Sequence, residues 1–205
     1  MDARQEIVTL AETPPLVLHL APVIEMNDRQ LFELCQRNRD VRIERTCRGD
    51  LVIMPPTGGE TGRMNFELAG LLRSWVQADG TGIGFDSSCG FTLPSGATRS
   101  PDVAWVKRSR WEALTPQERE AFPPLCPDFV VELRSRSDAL ANLPAKMREY
   151  MENGAQLGWL IDPLQRKVYV YRPEAPVACL ENPQTVSGDP VLPGFVLSLG
   201  DLWGY

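Results

Sequence analysis

The sequence predicts an α/β protein with a mixed central sheet and helices before and after it, and three observations carry that prediction. Short apolar runs of strand length recur at 102–106, 128–134, 157–162 and 167–172, rich in β-branched and aromatic residues. Two other segments, 60–78 and 140–151, repeat their apolar residues at helical spacing. Finally, two of the strands hold a carboxylate: Asp102 opens one, and Glu132 lies inside the most hydrophobic run of the chain. An ionised carboxylate there is costly unless a cation or hydrogen-bond donors compensate it. Two on neighbouring strands suggest a divalent metal site.

The elements follow in order. Residues 1–26 read as an N-terminal arm or an added edge strand, since Glu12, His19 and three prolines interrupt the apolar patches of 8–24. The main domain is expected over 27–205. Asn27-Asp28-Arg29-Gln30 has the form of a capping box, opening a helix with Leu31, Leu34 and Cys35 inward and an end near Asn38. Alternation over 41–45 and 50–54 around Arg48-Gly49 predicts a hairpin, ended by Pro55-Pro56-Thr57-Gly58-Gly59. The long helix over 60–78 sets Met64, Leu68, Leu71, Leu72 and Trp75 on one face, and the glycines of 80–84 stop it. Short strands at 83–86 and 89–93 and a turn at Pro94-Ser95-Gly96 lead into the Asp102 strand. Residues 111–122 read as a helix with Thr115 as a cap and Pro116 at the first helical position. After Glu132, Leu140, Leu143, Met147, Tyr150 and Met151 mark a helix ending at Asn153-Gly154, with a break or fresh start at Pro144. Strands at 157–162 and 167–172 flank a turn at Pro163, and short strands near Val177 and Phe195 close the chain.

Composition narrows the chemistry. With 205 residues, 43% hydrophobic and 23% charged, the chain is that of one soluble globular domain with a proper core. No apolar stretch approaches the roughly 20 residues that span a bilayer. The five cysteines stand at long irregular spacings without Cys-x-x-Cys, so reduced thiols in a cytoplasmic protein are expected and a structural zinc site is not. The single histidine, His19, lies in the irregular N-terminal region, which argues against Ser-His-Asp, Cys-His and histidine-metal mechanisms. Carboxylates and lysine must perform any chemistry. A net charge of −6 gives no general help to nucleic-acid binding, but Arg134, Arg136, Lys146 and Arg148 concentrate positive charge near the acidic pair. The glycine runs at 58–59 and 80–84 are turns, because no Gly-Lys-Ser/Thr follows. The five tryptophans fit core or subunit contacts.

Strand alternation sharpens the site. Phe129, Val131 and Leu133 share one face, while Val130, Glu132 and Arg134 share the other; Asp102, Ala104 and Val106 lie together. If the two strands are neighbours, Asp102 and Glu132 converge on one hard cation with oxygen ligands, as Mg or Mn prefers. Lys146 falls on the flank of the stripe Leu143, Met147 and Tyr150, where its stem can lie on the sheet and its ammonium reach the metal site. Taken without that context, Asp102 also suits a turn or strand cap, and Glu132 a buried ion pair with Arg134 or Lys146. Glu60 suits a helix N-terminus, and Glu44 an outward strand position.

The order Pro101-Asp102, then Glu132-Leu133-Arg134 in an apolar strand, then a helix resembles the PD-(D/E)XK nuclease superfamily. More narrowly, the chain resembles the bacterial restriction endonucleases of the Uma type. The matching segments are Arg42-Ile43-Glu44, Gly49-Asp50-Leu51-Val52-Ile53-Met54-Pro55-Pro56-Thr57-Gly58, Arg99-Ser100-Pro101-Asp102-Val103-Ala104 and Val131-Glu132-Leu133-Arg134-Ser135. They continue through Lys146, Tyr150, Gly154, Trp159-Leu160-Ile161-Asp162-Pro163 and Leu192-Pro193-Gly194-Phe195, covering about 27–203.

The resemblance implies a restriction-endonuclease-like domain that binds Mg (or Mn) at Asp102 and Glu132 and hydrolyses DNA phosphodiesters. Lys146 stands in for the lysine usually found two residues after the glutamate. That position is Arg134, which stays protonated and cannot be a base but suits a phosphate contact. Glu44 and Glu60 are the candidates for a further acid, and Arg136 replaces a proline common among relatives. A homodimer is expected by analogy. The alternative is a non-catalytic nuclease fold used as a DNA-binding or assembly module.

Overall fold

The computed structural model describes residues 15–135, 143–200 and 202–203; the expectations for 1–14, Arg136 and Leu140 lie outside them. Strand β1 (Leu16–Leu18) precedes helix α1 (Asp28–Arg37). The expected capping box is present: Asn27 Oδ1 accepts from the Gln30 N–H at 2.9 Å, and Gln30 Oε1 accepts from the Asn27 N–H at 2.9 Å. Strands β2 (Arg42–Arg45) and β3 (Leu51–Met54) form the expected antiparallel hairpin. Helix α2 (Gly59–Asp79) ends on Gly80, whose φ of 72° is the left-handed conformation that closes a helix without Cβ strain.

Strands β4 (Gly82–Asp86), β5 (Phe91–Thr92), β6 (Thr98–Arg99) and β7 (Val103–Lys107) follow. The helix expected over 111–122 is two short ones, α3 (Arg108–Glu112) and α4 (Pro116–Glu120). Thr115 and Glu118 make a capping box of their own, so the start signal inside that stretch divides it. The remaining elements are β8 (Phe129–Leu133), α5 (Leu143–Glu152), β9 (Leu157–Asp162), β10 (Lys167–Tyr171), β11 (Ala178–Glu181), β12 (Thr185–Ser187) and β13 (Val196–Ser198). Pro144 sits in the first turn of α5, where its missing N–H costs nothing.

Among the described residues the strands form a mixed sheet of order β11-β10-β9-β8-β7-β4, a second sheet β1-β3-β2-β6-β5, and the ribbon β12-β13. In the mixed sheet β8 and β9 are parallel and the other pairs antiparallel. The second sheet is a feature the sequence did not announce. Its last-but-one strand, β6, passes through Ser100-Pro101-Asp102 straight into β7 of the mixed sheet. Proline has no N–H to give a ladder, so the chain changes sheets there.

Both faces of the mixed sheet are covered, which is why its strands read as nearly continuous apolar runs. Met64, Leu68 and Leu72 of α2 pack on Val103, Trp105, Phe129 and Val131. Met147 and Tyr150 of α5 pack on Ala104, Val106, Val130 and Leu160 on the opposite face. Leu71, expected in the α2 stripe, is 40% exposed; it stands 100° around the helix from Leu72. No helix among the described residues is long and apolar enough to cross a membrane.

The glycine at 82 serves packing as well as the turn. A Cβ there would stand 2.3 Å from Trp105 Cε2 and 2.5 Å from the Val106 carbonyl oxygen. Gly82→Ala is therefore expected to lower stability by about 1–3 kcal/mol, read as a lower urea midpoint at unchanged slope. An unaltered midpoint would show that β4 and Trp105 are not packed as described.

Candidate active site

Where the two sheets meet, a cavity of about 480 Å³ opens onto residues of both. Arg42 and Glu44 come from β2, Arg99 from β6, Glu132 from β8, and Lys146 and Glu149 from α5; Asp102 stands on the link into β7. The β7–β8 register pairs Val103 with Val131. One residue further out, Glu132 lies with Val130 on the α5 side of the sheet, as alternation requires, and Asp102 directly precedes Val103 on the link into β7. Both are nearly buried, Asp102 at 6% and Glu132 at 4% exposure.

Asp102 is held at its base by the backbone. Its N–H donates to the Val131 carbonyl at 3.0 Å, and its Oδ2 accepts from the Leu133 N–H at 2.8 Å. Its Oδ1 lies 3.3 Å from Asn65 Nδ2 of α2 and 3.7 Å from Arg42 Nη1.

Glu132 receives two donors from one helix face. Lys146 Nζ stands 2.8 Å from Glu132 Oε1, and the Tyr150 hydroxyl donates to the same oxygen at 2.9 Å. Residues four apart on a helix face the same way, so one turn of α5 delivers both. The helix lies close to the sheet because β9 carries Gly158, where a Cβ would stand 2.5 Å from Met147 Cε. With both donors on Oε1, Glu132 Oε2 is the oxygen left uncommitted among the described residues.

Lys146 also reaches Glu44 Oε1, at 2.9 Å. Glu44 accepts the Ser100 N–H at 3.0 Å and faces Arg99 Nη1 at 3.2 Å, and Arg99 Nε meets Glu149 Oε2 at 2.5 Å. The result is a buried chain of alternating charge, Glu132–Lys146–Glu44–Arg99–Glu149.

The two glutamates titrate in opposite directions. Burial pushes the Glu132 carboxyl up to about 7 against the pull of Lys146, and the nearby Asp102 and Glu44 charges add to the rise. Burial acts the same way on Glu44, but Lys146, Arg99 and Arg42 outweigh it and hold it at about 2. Burial alone would lower Lys146, yet Glu132 and Glu44 raise it, so it stays an ammonium. Tyr150 is pushed well up by burial and by Glu132 and stays a donor.

Of the residues singled out in the sequence, Asp102, Glu132, Lys146 and Glu44 come together here. Glu60 and Arg134 do not. Glu60 is an exposed first-turn residue of α2 whose carboxylate takes Arg63 at 2.7 Å; dipole and neighbour suffice to explain it. Arg134 directs Nη1 to the fully buried Asp162 Oδ2 at 2.7 Å. Asp162 Oδ1 in turn accepts the Leu164 and Gln165 N–H groups, so this pair ties β8 to the β9–β10 turn. Arg134 is thus held by Asp162 and is not among the residues that line the cavity.

Sequence reading gave no role to Tyr150, Arg99, Arg42, Asn65 or Glu149. Tyr150 one turn after Lys146, and Arg42 two residues from Glu44 on the same strand face, were the available signals.

The donor set fits one kind of ion. Among the described residues no three His, Cys, Asp or Glu side chains are gathered to hold a metal. Two carboxylates with oxygen donors suit Mg²⁺, which keeps most of its waters and is commonly bound by one or two carboxylates together with substrate phosphate. Asn65 Oδ1, buried beside Asp102 and without a partner among the described residues, is a further polar oxygen next to this pair.

The fold has a relative of known structure. The crystal structure of a protein from Anabaena variabilis, described as "a putative nuclease belonging to DUF820", superposes with a TM-score of 0.66 at 22% identity, covering 78% of this chain and 89% of that one. At this identity the likeness is one of fold. No curated protein matches the chain. The family model described as "Putative restriction endonuclease" matches residues 28–200, which takes in the mixed sheet, all of the second sheet but β1, and every charged residue lining the cavity, and the chain belongs to that family, Uma2.

Proposed function

We propose that this protein is a magnesium-dependent endonuclease that hydrolyses DNA phosphodiester bonds at the cavity between the two sheets. The observation that carries the reading is the meeting of Asp102 and Glu132 with the Lys146 ammonium held 2.8 Å from Glu132. Membership of a restriction-endonuclease family supports it.

Asp102 and Glu132 would hold the cation, steadied by the Leu133 N–H on Asp102 and by Lys146 and Tyr150 on Glu132. A bound Mg²⁺ supplies Lewis-acid stabilisation of charge developing on the phosphoryl group and lowers the pKa of attacking water. Lys146 orients that water and offsets charge at the phosphate. Its raised pKa favours positioning over proton abstraction. Glu44 and Tyr150 fix Lys146 and Glu132 in place. The exposed apolar residues of β1 support the homodimer as part of this reading.

Two outcomes test it. Asp102→Ala and Glu132→Ala are expected to abolish Mg²⁺-dependent cleavage of DNA with the circular dichroism spectrum unchanged, and Lys146→Ala to lower it at least about 100-fold. Full cleavage by purified Glu132→Ala would remove the mechanism and favour a non-catalytic module.

The second outcome concerns pH. Glu132 titrates near about 7 in the metal-free fold, above the carboxyl value of an unfolded chain. What it contributes to stability is complete below that unfolded value and is lost as pH rises through about 7. A cation binds only the ionised form and must compete with the proton below that pH. Mg²⁺ is therefore expected to raise Tm more at about pH 8 than at about pH 6, and to leave Glu132→Gln unmoved at both. An equal rise in wild type and Glu132→Gln would place the cation elsewhere.

A further inference from the structure

Three cations line the cavity among the described residues, and their positions are not equivalent. Arg99 is bonded to Glu44 and Glu149, and Lys146 to Glu44 and Glu132, all at 3.2 Å or less. Both side chains are nearly buried, at 12% and 14% exposure. Arg42 differs on each count. Its nearest carboxylate oxygen, Asp102 Oδ1, is 3.7 Å away, beyond hydrogen-bond reach. Its Nη2 contacts Met54 Sδ at 3.6 Å, a thioether and so a weak acceptor. The side chain is 30% exposed.

The demand for such a group is equally visible. Glu44, Asp102, Glu132 and Glu149 line the cavity together with Arg42, Arg99 and Lys146, so an approaching phosphodiester needs a cation not already taken up by these acids. The cations nearest the floor already neutralise those acids. A guanidinium presents donors in a planar fork that matches phosphate oxygens in pairs, and of the two cavity arginines Arg42 is the one without a strong acceptor among the described residues. Arg134, which sequence reading offered for this task, is bonded to Asp162.

We propose that Arg42 is the substrate-binding residue that grips a phosphate of the nucleic-acid strand beside Asp102. The assignment rests on the nuclease reading above and deepens it. β2 fixes the position: Arg42 stands opposite Met54 in the hairpin and two residues from Glu44, so the strand that orders the acid network also presents the fork at the cavity mouth.

The test compares wild type, Arg42→Ala and Arg42→Lys, each as the full chain, on a fluorescein-labelled DNA oligonucleotide in single-stranded and duplex form. Cleavage in Mg²⁺ is followed over a salt series, and anisotropy binding in EDTA over the same series. One lost phosphate contact lowers the slope of log affinity against log salt by about 0.7–0.9. Arg42→Ala is expected to show that smaller slope, with KM or Kd raised about tenfold and kcat nearly retained. Arg42→Lys restores the slope. If Arg42 merely positions Asp102, kcat falls, the slope stays at the wild-type value and lysine does not rescue it; that result overturns the assignment and leaves the nuclease reading intact. If wild type binds the oligonucleotide but does not cut it, the nuclease reading fails and the binding slope alone decides for or against Arg42. A wild-type chain that neither binds nor cuts overturns both.

Discussion

The site depends on one ammonium group held between two buried carboxylates. Lys146 lies within 2.9 Å of both Glu44 and Glu132, and without it Glu132 would keep only the Tyr150 hydroxyl as a donor among the described residues. Removing one partner of such a network leaves an uncompensated charge, commonly a loss of about 3–5 kcal/mol. The lysine is in turn placed by α5, whose Met147 and Tyr150 are fully buried against the mixed sheet. Hydrophobic packing thus sets the electrostatics. The helix docks by its apolar stripe and carries the ammonium to the acids.

The same arrangement separates the two glutamates in their chemistry. Glu44, surrounded by Lys146, Arg99, Arg42 and the Ser100 N–H, has its carboxyl held down at about 2. Glu132 shares Lys146 but looks toward Asp102, and its affinity for a proton is raised to about 7. A group that holds a proton near neutrality yet sits beside a second carboxylate is suited to exchanging that proton for a cation. The division follows from topology. Glu44 comes from the smaller sheet and Glu132 from the mixed one, and the Ser100-Pro101-Asp102 link joins the sheets at the point where both acids meet α5.

Much of this was legible in the sequence. Asp102 and Glu132 stood out because each interrupts an apolar strand, and alternation let them converge if their strands were neighbours. Lys146 followed from its place beside the α5 stripe. The capping box at Asn27 and the hairpin around Gly49 are local signals and appear as expected. What escaped was long-range. Nothing local distinguishes Arg134, one residue past the strand end, from a cavity-facing residue, because its partner Asp162 arrives from the neighbouring parallel strand. Glu60 was open to two readings, a further acid and a helix start, and it stands in the first turn of α2 beside Arg63. The assignment of β2 and β3 to a separate sheet, which brings Arg42 and Glu44 over the carboxylates, required pairing with β6 that no periodicity encodes.

The most direct test of the account is anomalous diffraction from a crystal soaked in Mn²⁺. The account predicts one strong peak at bonding distance, about 2 Å, from both an Asp102 and a Glu132 carboxylate oxygen, with the Lys146 ammonium alongside and not displaced from the cavity. A peak bound elsewhere, or none between those two side chains while the protein remains folded, would contradict it.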